Sequence, residues 1–263
     1  MKLRWIGPLL LCWLAASASA MIPGPELIIQ CPESDKLVKQ FTLASGNTLS
    51  GRRWSDGYAL YSMLPSIPQI TRCDDQGKFF WVAEATVVGK FEGWDETRMP
   101  QAWRAVSPCT QRGTRCRWDK TGMPQAWREA SDVRFLSEQE YHAALAEGMG
   151  RNRKEEVYLR IQAWWAANAA VRNPRTEGAI TSPFFPGSRA RDNLERLVEL
   201  LATDNPDERL MKAEALRQLG RFEEAQQTLQ ATFPEQMEEA VRWIRELVDK
   251  RDVLVKEMPA FRK

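Results

Sequence analysis

The spacing of apolar residues changes period once along the chain, and that change limits the fold more than any composition figure. Between residues 31 and 91 the pattern is short and strand-like. Gln40–Ala44 alternates, Ser45-Gly46-Asn47 and Trp54-Ser55-Asp56-Gly57 read as turns, and Lys78-Phe79-Phe80-Trp81-Val82 reads as a last strand. Pro65 and Pro68 bracket a loop. From residue 137 onward apolar residues recur three and four apart, the spacing of a helix face. Strands first and helices afterwards predict an α+β fold, with a β module over 21–92, a connecting region over 93–136 and a helical region over 137–263. A β module this small is short of core by itself, so a covalent or metal staple is expected.

The helical region carries its own punctuation. Ser137 and Glu140 form a capping box ahead of Tyr141 and Leu145. Val157, Ile161, Trp164, Trp165 and Ala169 predict a helix over 153–172, ended by Asn173-Pro174. A Pro/Gly/Ser-rich connection with Pro183-Phe184-Phe185-Pro186 leads to a helix near 190–203 with Leu194, Leu197, Val198 and Leu201 on one face. Asn205-Pro206-Asp207-Glu208 combines an N-cap, a proline in the first turn and acidic residues at the positive end of the next helix dipole. That helix closes at Gly220. A last helix starts at Thr232-Phe233-Pro234-Glu235 and carries the stripe Met237, Ala240, Val241, Ile244, Leu247 and Val248.

At the N-terminus, Lys2 and Arg4 precede the apolar run Trp5–Ala16, and Ala18-Ser19-Ala20 forms a small-residue cleavage site before Met21. Residues 1–20 are therefore expected to be a secretory signal peptide, too short in its apolar run to span a bilayer comfortably. The expected location is periplasmic or secreted, with no integral membrane segment after cleavage. Translation starting at Met21 would instead leave a cytosolic chain with reduced cysteines. The 263 residues carry 37 Lys+Arg and 35 Asp+Glu, and without Lys2 and Arg4 the signs balance. Such a chain has no electrostatic footprint for nucleic acid. Its 43% hydrophobic content excludes a collagen-like or disordered polymer. The single histidine, His142, excludes a His-built metal centre, and there is no phosphate-binding Gly-rich loop, nucleophile elbow or zincin signature. Removal of Cys12 with the leader leaves Cys31, Cys73, Cys109 and Cys116, which in an oxidising compartment read as two disulfides in any of three connectivities.

A tandem repeat occupies the connecting region. Trp94–Arg104 recurs as Trp118–Arg128, identical at nine of eleven positions. One reading is a local duplication that inserted a spare loop. The sharper one pairs Trp103 and Trp127 as a partner-facing surface.

Ala213, Leu216, Gly220, Phe222, Ala225 and Leu229 fall at the small and large positions of a tetratricopeptide repeat, which the Leu210–Leu229 unit resembles. Arg209 and Lys212 stand where that consensus has Trp and its first Leu. The resemblance implies an unknown protein or peptide as partner, since such repeats stack into concave binding surfaces, and it makes Leu216 and Phe222 candidate contact residues. Cys31-Pro32-Glu33-Ser34, Ser45-Gly46-Asn47-Thr48, Trp54–Gly57, Met63-Leu64-Pro65, Cys73-Asp74-Asp75-Gln76 and Phe80-Trp81 are in turn similar to an uncharacterised bacterial family. That family has an N-terminal zinc ribbon with two C-x-x-C knuckles, followed by helical repeats. The similarity covers about residues 31–82 and the helical tail. A ribbon holds zinc with four thiolates. Here Ser34 and Gln76 replace the second cysteine of each knuckle, so zinc is not expected as a cofactor. Because the resemblance sets the knuckles side by side, it implies a Cys31–Cys73 disulfide in place of the metal. It leaves Cys109 and Cys116 as the second bridge.

These readings converge on an exported, non-enzymatic protein that mediates protein–protein contact through TPR-like helices. The competing expectation is an envelope thiol-disulfide or other enzyme using the Cys109/Cys116 loop, where Arg112, Arg115 and Arg117 would lower a thiol pKa.

Overall fold

Short strands separated by turn residues come first along the chain and helices follow. A computed structural model describes residues 21–49, 51–74, 77–91, 124–174 and 181–259, and across them the architecture is α+β. The strands are β1 (Ile22–Pro23), β2 (Glu26–Gln30), β3 (Leu37–Gln40), β4 (Leu43–Ser45), β5 (Arg52–Arg53), β6 (Ala59–Leu60), β7 (Ile70–Arg72), β8 (Phe79–Trp81), β9 (Thr86–Phe91) and β10 (Ser131–Asp132). The largest sheet has the order β10-β3-β2-β9, with β2 antiparallel to both neighbours and β10 parallel to β3. The alternating stretch 40–44 is not one strand, because β3 ends at Gln40 and β4 pairs with β1 in a separate two-stranded sheet.

The helices are α1 (Gln125–Glu129), α2 (Glu138–Ala146), α3 (Arg153–Ala167), α4 (Ala169–Arg172), α5 (Arg189–Leu200), α6 (Pro206–Gln218), α7 (Phe222–Thr228) and α8 (Glu238–Asp249). The capping box forms as the sequence predicts: the Ser137 hydroxyl accepts from the Glu140 N–H, and the Glu140 carboxylate accepts from the Ser137 N–H at 2.8 Å. Asn205 caps α6 by accepting from the Asp207 and Glu208 N–H groups. The single helix expected over 153–172 is divided at Asn168, whose side chain is turned into a buried polar network. The last helix is preceded by a 3-10 turn over Glu235–Met237.

Buried apolar residues form three clusters, and they account for how so small a β module holds together. Ile29, Cys31, Val38, Phe80 and Val82 fill the space beside the large sheet. Ile70, Phe79 and Trp81, from the β7–β8 hairpin, pack on Leu136, Tyr141, Ala144, Leu159 and Ala163 of the helical region. The third cluster joins α3, α5, α6, α7 and α8 through residues that include Trp164, Leu194, Leu197, Leu216, Leu229 and Ile244. The helices thus supply core that the strands lack. Cys31 and Cys73 supply the staple, bonded as a disulfide with their Cα atoms 6.1 Å apart. Among the described residues no helix is long and apolar enough to cross a membrane. Residues 1–20, where a signal peptide is expected, and Trp103, Gln76, Cys109 and Cys116 lie outside the described residues.

Candidate functional site

The turn Trp54-Ser55-Asp56-Gly57 joins β5 to β6, and Gly57 takes the left-handed conformation (φ 80°) that closes it. Its polar side chains are buried against the helices. The Asp56 carboxylate accepts from the Arg172 guanidinium, from the Asn168 amide at 2.9 Å and from the Tyr58 N–H at 3.1 Å. Burial pushes the Asp56 carboxyl above its usual range, while Arg172, Asn168 and the Tyr58 N–H pull it back. The Trp165 indole donates to the Asp56 carbonyl at 2.9 Å, and the Arg172 guanidinium lies 4.2 Å over the Tyr58 ring.

Asn168 carries the network onward to Gln218, whose amide oxygen also accepts from the Trp164 indole at 3.0 Å. Gln218 donates to Glu214 at 2.7 Å. Glu214 and Arg217 are both fully buried and paired two-fold, at 2.8 and 2.6 Å. Arg217 reaches further, donating to the carbonyls of Asp252 and Leu254 and to the Ser55 hydroxyl. Ser55 in turn exchanges backbone and side-chain hydrogen bonds with Lys256, and Arg52 forms a two-pronged pair with Glu257. One turn of the β module, residues of α3, α4 and α6 and the C-terminal tail are therefore locked in a single polar core. Its charges are all paired, which suits it to hold structure in place.

A small pocket of about 260 Å³ lies between α8 and Met258 of the tail, and two larger grooves lie on either side of α5. One groove, of about 430 Å³, runs between α5, α6 and α7 and is walled by Glu195, Glu199, Lys212, Arg221, Glu224 and Gln227. The other, of about 620 Å³, runs between α2, α3 and α5 and includes His142, Arg160, Arg189, Asp192 and Arg196.

Of the candidate contact residues named from the sequence, Leu216 reaches the lining of the α5–α7 groove, whereas Phe222 and Trp127 line neither groove. Leu216 is 2% exposed and Phe222 8% exposed, and both sit in the helical cluster, so their side chains hold α6 and α7 together. Phe222 is further covered by the Arg251 guanidinium at 4.5 Å. Trp127 lies on the sheet, its ring pressed so closely on Gly89 of β9 that a Cβ there would fall 2.0 Å from the ring edge. Trp127 therefore has a packing role. The apolar periodicity does not mark the groove walls; the charges Arg189, Arg191 and Asp192 at the start of α5 were the available signal.

Zinc does not fit the residues around Cys31 and Cys73. Cys31 and Cys73 are joined to each other and offer no thiolate, while the Ser34 hydroxyl accepts from the Lys36 N–H at 3.1 Å. Among the described residues no group of three or more His, Cys, Asp or Glu side chains is placed to hold a metal ion. No protein-family model matches the chain, and neither the curated proteins nor the solved structures contain a match.

Proposed function

We propose that this is an exported, non-enzymatic protein whose TPR-like helices receive a protein or peptide partner in the cell envelope. The observation that carries the reading is the pair of grooves flanking α5, built on helices whose apolar faces are already buried against one another. Their walls are charged side chains on rigid helices, the arrangement by which stacked helical hairpins bind extended peptides. The Cys31–Cys73 bridge supports an oxidising compartment, since such bonds persist outside the cytosol. In this reading the β module is a zinc ribbon descendant in which a disulfide has taken over the metal's stapling.

Site-specific photo-crosslinking tests the proposal. A crosslinker replacing Gln227, in the α5–α7 groove, should give a discrete adduct in intact envelopes, whereas one replacing exposed Lys36 on the β module should not. Absence of any adduct at Gln227, or equal adducts at both positions, would overturn it.

A further inference from the structure

The groove between α2, α3 and α5 contains a group that the fold leaves unsatisfied. His142, on α2, has a side chain only 10% exposed, and its Nε2 is buried without a hydrogen-bond partner. The nearest carboxylate, Glu138, stands 3.6 Å away, beyond hydrogen-bonding distance. A buried polar atom left in this state is costly, and an incoming ligand atom that satisfied it would recover that cost on binding.

The surrounding charges indicate which ligand would do so. Arg160 is held by Glu156 at 2.8 Å and by the Asn193 side chain, and Arg196 by Glu199 at 2.8 Å and Glu156 at 3.4 Å. Those carboxylates are therefore already engaged. Arg189 also lines the groove and is exposed, and its guanidinium has no ion-pair partner among the described residues. It occupies the first position of the twelve-residue α5, where the helix dipole is positive and where a cation is unfavourable unless an anion is near. Asp192 is the one carboxylate lining the groove itself. A guanidinium with no ion-pair partner among the described residues and an orphaned imidazole nitrogen thus line one space of about 620 Å³.

We propose that this groove binds a carboxylate-bearing segment of an acidic peptide, with one carboxylate accepting from His142 Nε2 and pairing with Arg189. The inference rests on the partner-binding reading above and gives the chemistry of the partner. Shape favours a peptide over a free ion, because the groove is far larger than one carboxylate and its floor includes the apolar Ala143, Leu145 and Ala146.

His142 is the only histidine, so its imidazole gives a single, unambiguous resonance in the full mature chain. That resonance should shift saturably on titration with a capped hexaglutamate peptide and should not move with hexalysine. Arg189→Ala should weaken the hexaglutamate midpoint by about tenfold, the loss expected for one charge-assisted contact, while leaving the protein's backbone spectrum folded. Absence of a saturable shift would overturn the proposal. So would an unchanged midpoint in R189A, or an equal response to inorganic phosphate at the same concentration, which would mean an adventitious ion only. An adduct at Gln227 without a His142 response would refute the acidic-peptide site and leave the broader partner reading standing.

Discussion

Arg217 ties α6 to the C-terminal tail and to the Ser55 turn, and Arg217→Met tests that link. The guanidinium is fully buried, pairs two-fold with Glu214 and donates to the Asp252 and Leu254 carbonyls. Burial works against its charge, but the adjacent Glu214, with further help from Asp252 and Asp56, holds the guanidinium above its ordinary pKa, so it stays protonated. Methionine matches the stem and removes every donor. Glu214, itself fully buried, then loses its counter-charge, at a cost of about 3–5 kcal/mol for breaking such a pair. Each tail carbonyl left without a donor adds about 1 kcal/mol or more, up to the part that water recovers once the tail loosens. Urea unfolding followed by tryptophan fluorescence and by far-UV circular dichroism measures the sum, and hydrogen exchange reads the release of residues 252–258. Glu214→Leu combined with R217M should recover much of the loss, because a buried pair replaced as a unit by apolar side chains costs little. A single-variant loss below about 1 kcal/mol, or strict additivity in the double variant, would refute the claim that this buried pair holds the tail in place.

Other perturbations separate the remaining supports. Replacing Cys31 and Cys73 together with serine should destabilise the protein by about 4 kcal/mol, because the bridge closes a sequence separation of 42 residues, and thermal melts of oxidised wild type and variant would show it. Gly89→Ala should cost about 1–3 kcal/mol, since the new methyl collides with the Trp127 ring; W127A in the same chain should relieve the clash, and coupling close to zero would count against the packing. The Arg134 guanidinium, helped by the Ser137 N–H, pulls the Glu140 carboxyl down to about 2. A lowered folded-state pKa gives stability that is present above about pH 4.5 and is lost as pH falls toward about 2, worth roughly 1 kcal/mol once solvent screening is allowed for. Acid titration of Glu140→Gln should show that part of the pH dependence gone, and an identical acid profile would contradict it.

Local signals in the sequence recovered what is locally determined. The Ser137–Glu140 box, the Asn205 cap and the Gly220 break each depend on residues within one helical turn, and each occurs where the sequence places it. The Cys31–Cys73 pairing came from a resemblance, because an even cysteine count alone leaves three connectivities open. Two long-range features were not legible. The division of the 153–172 helix at Asn168 depends on Asp56, 112 residues away. The role of Ser55 depends on Arg217 and Lys256, 162 and 201 residues away. Hydrophobic periodicity carries no information on either separation.

The same physics explains why α6 misleads a reader of its sequence. Glu214, Arg217 and Gln218 are spaced three and four apart, the pattern of a solvated face, yet they are buried together with Ala213, Ala215 and Leu216. The end of α6 is thus enclosed on all sides, and its polar stripe faces a turn of the β module and the C-terminal tail. Here the tail returns across that end, with Leu254 and Lys256 engaged by Arg217 and Ser55 and Glu257 by Arg52. The grooves flanking α5 include none of these tail residues, and in one of them Arg189 has no ion-pair partner and His142 Nε2 no hydrogen-bond partner among the described residues.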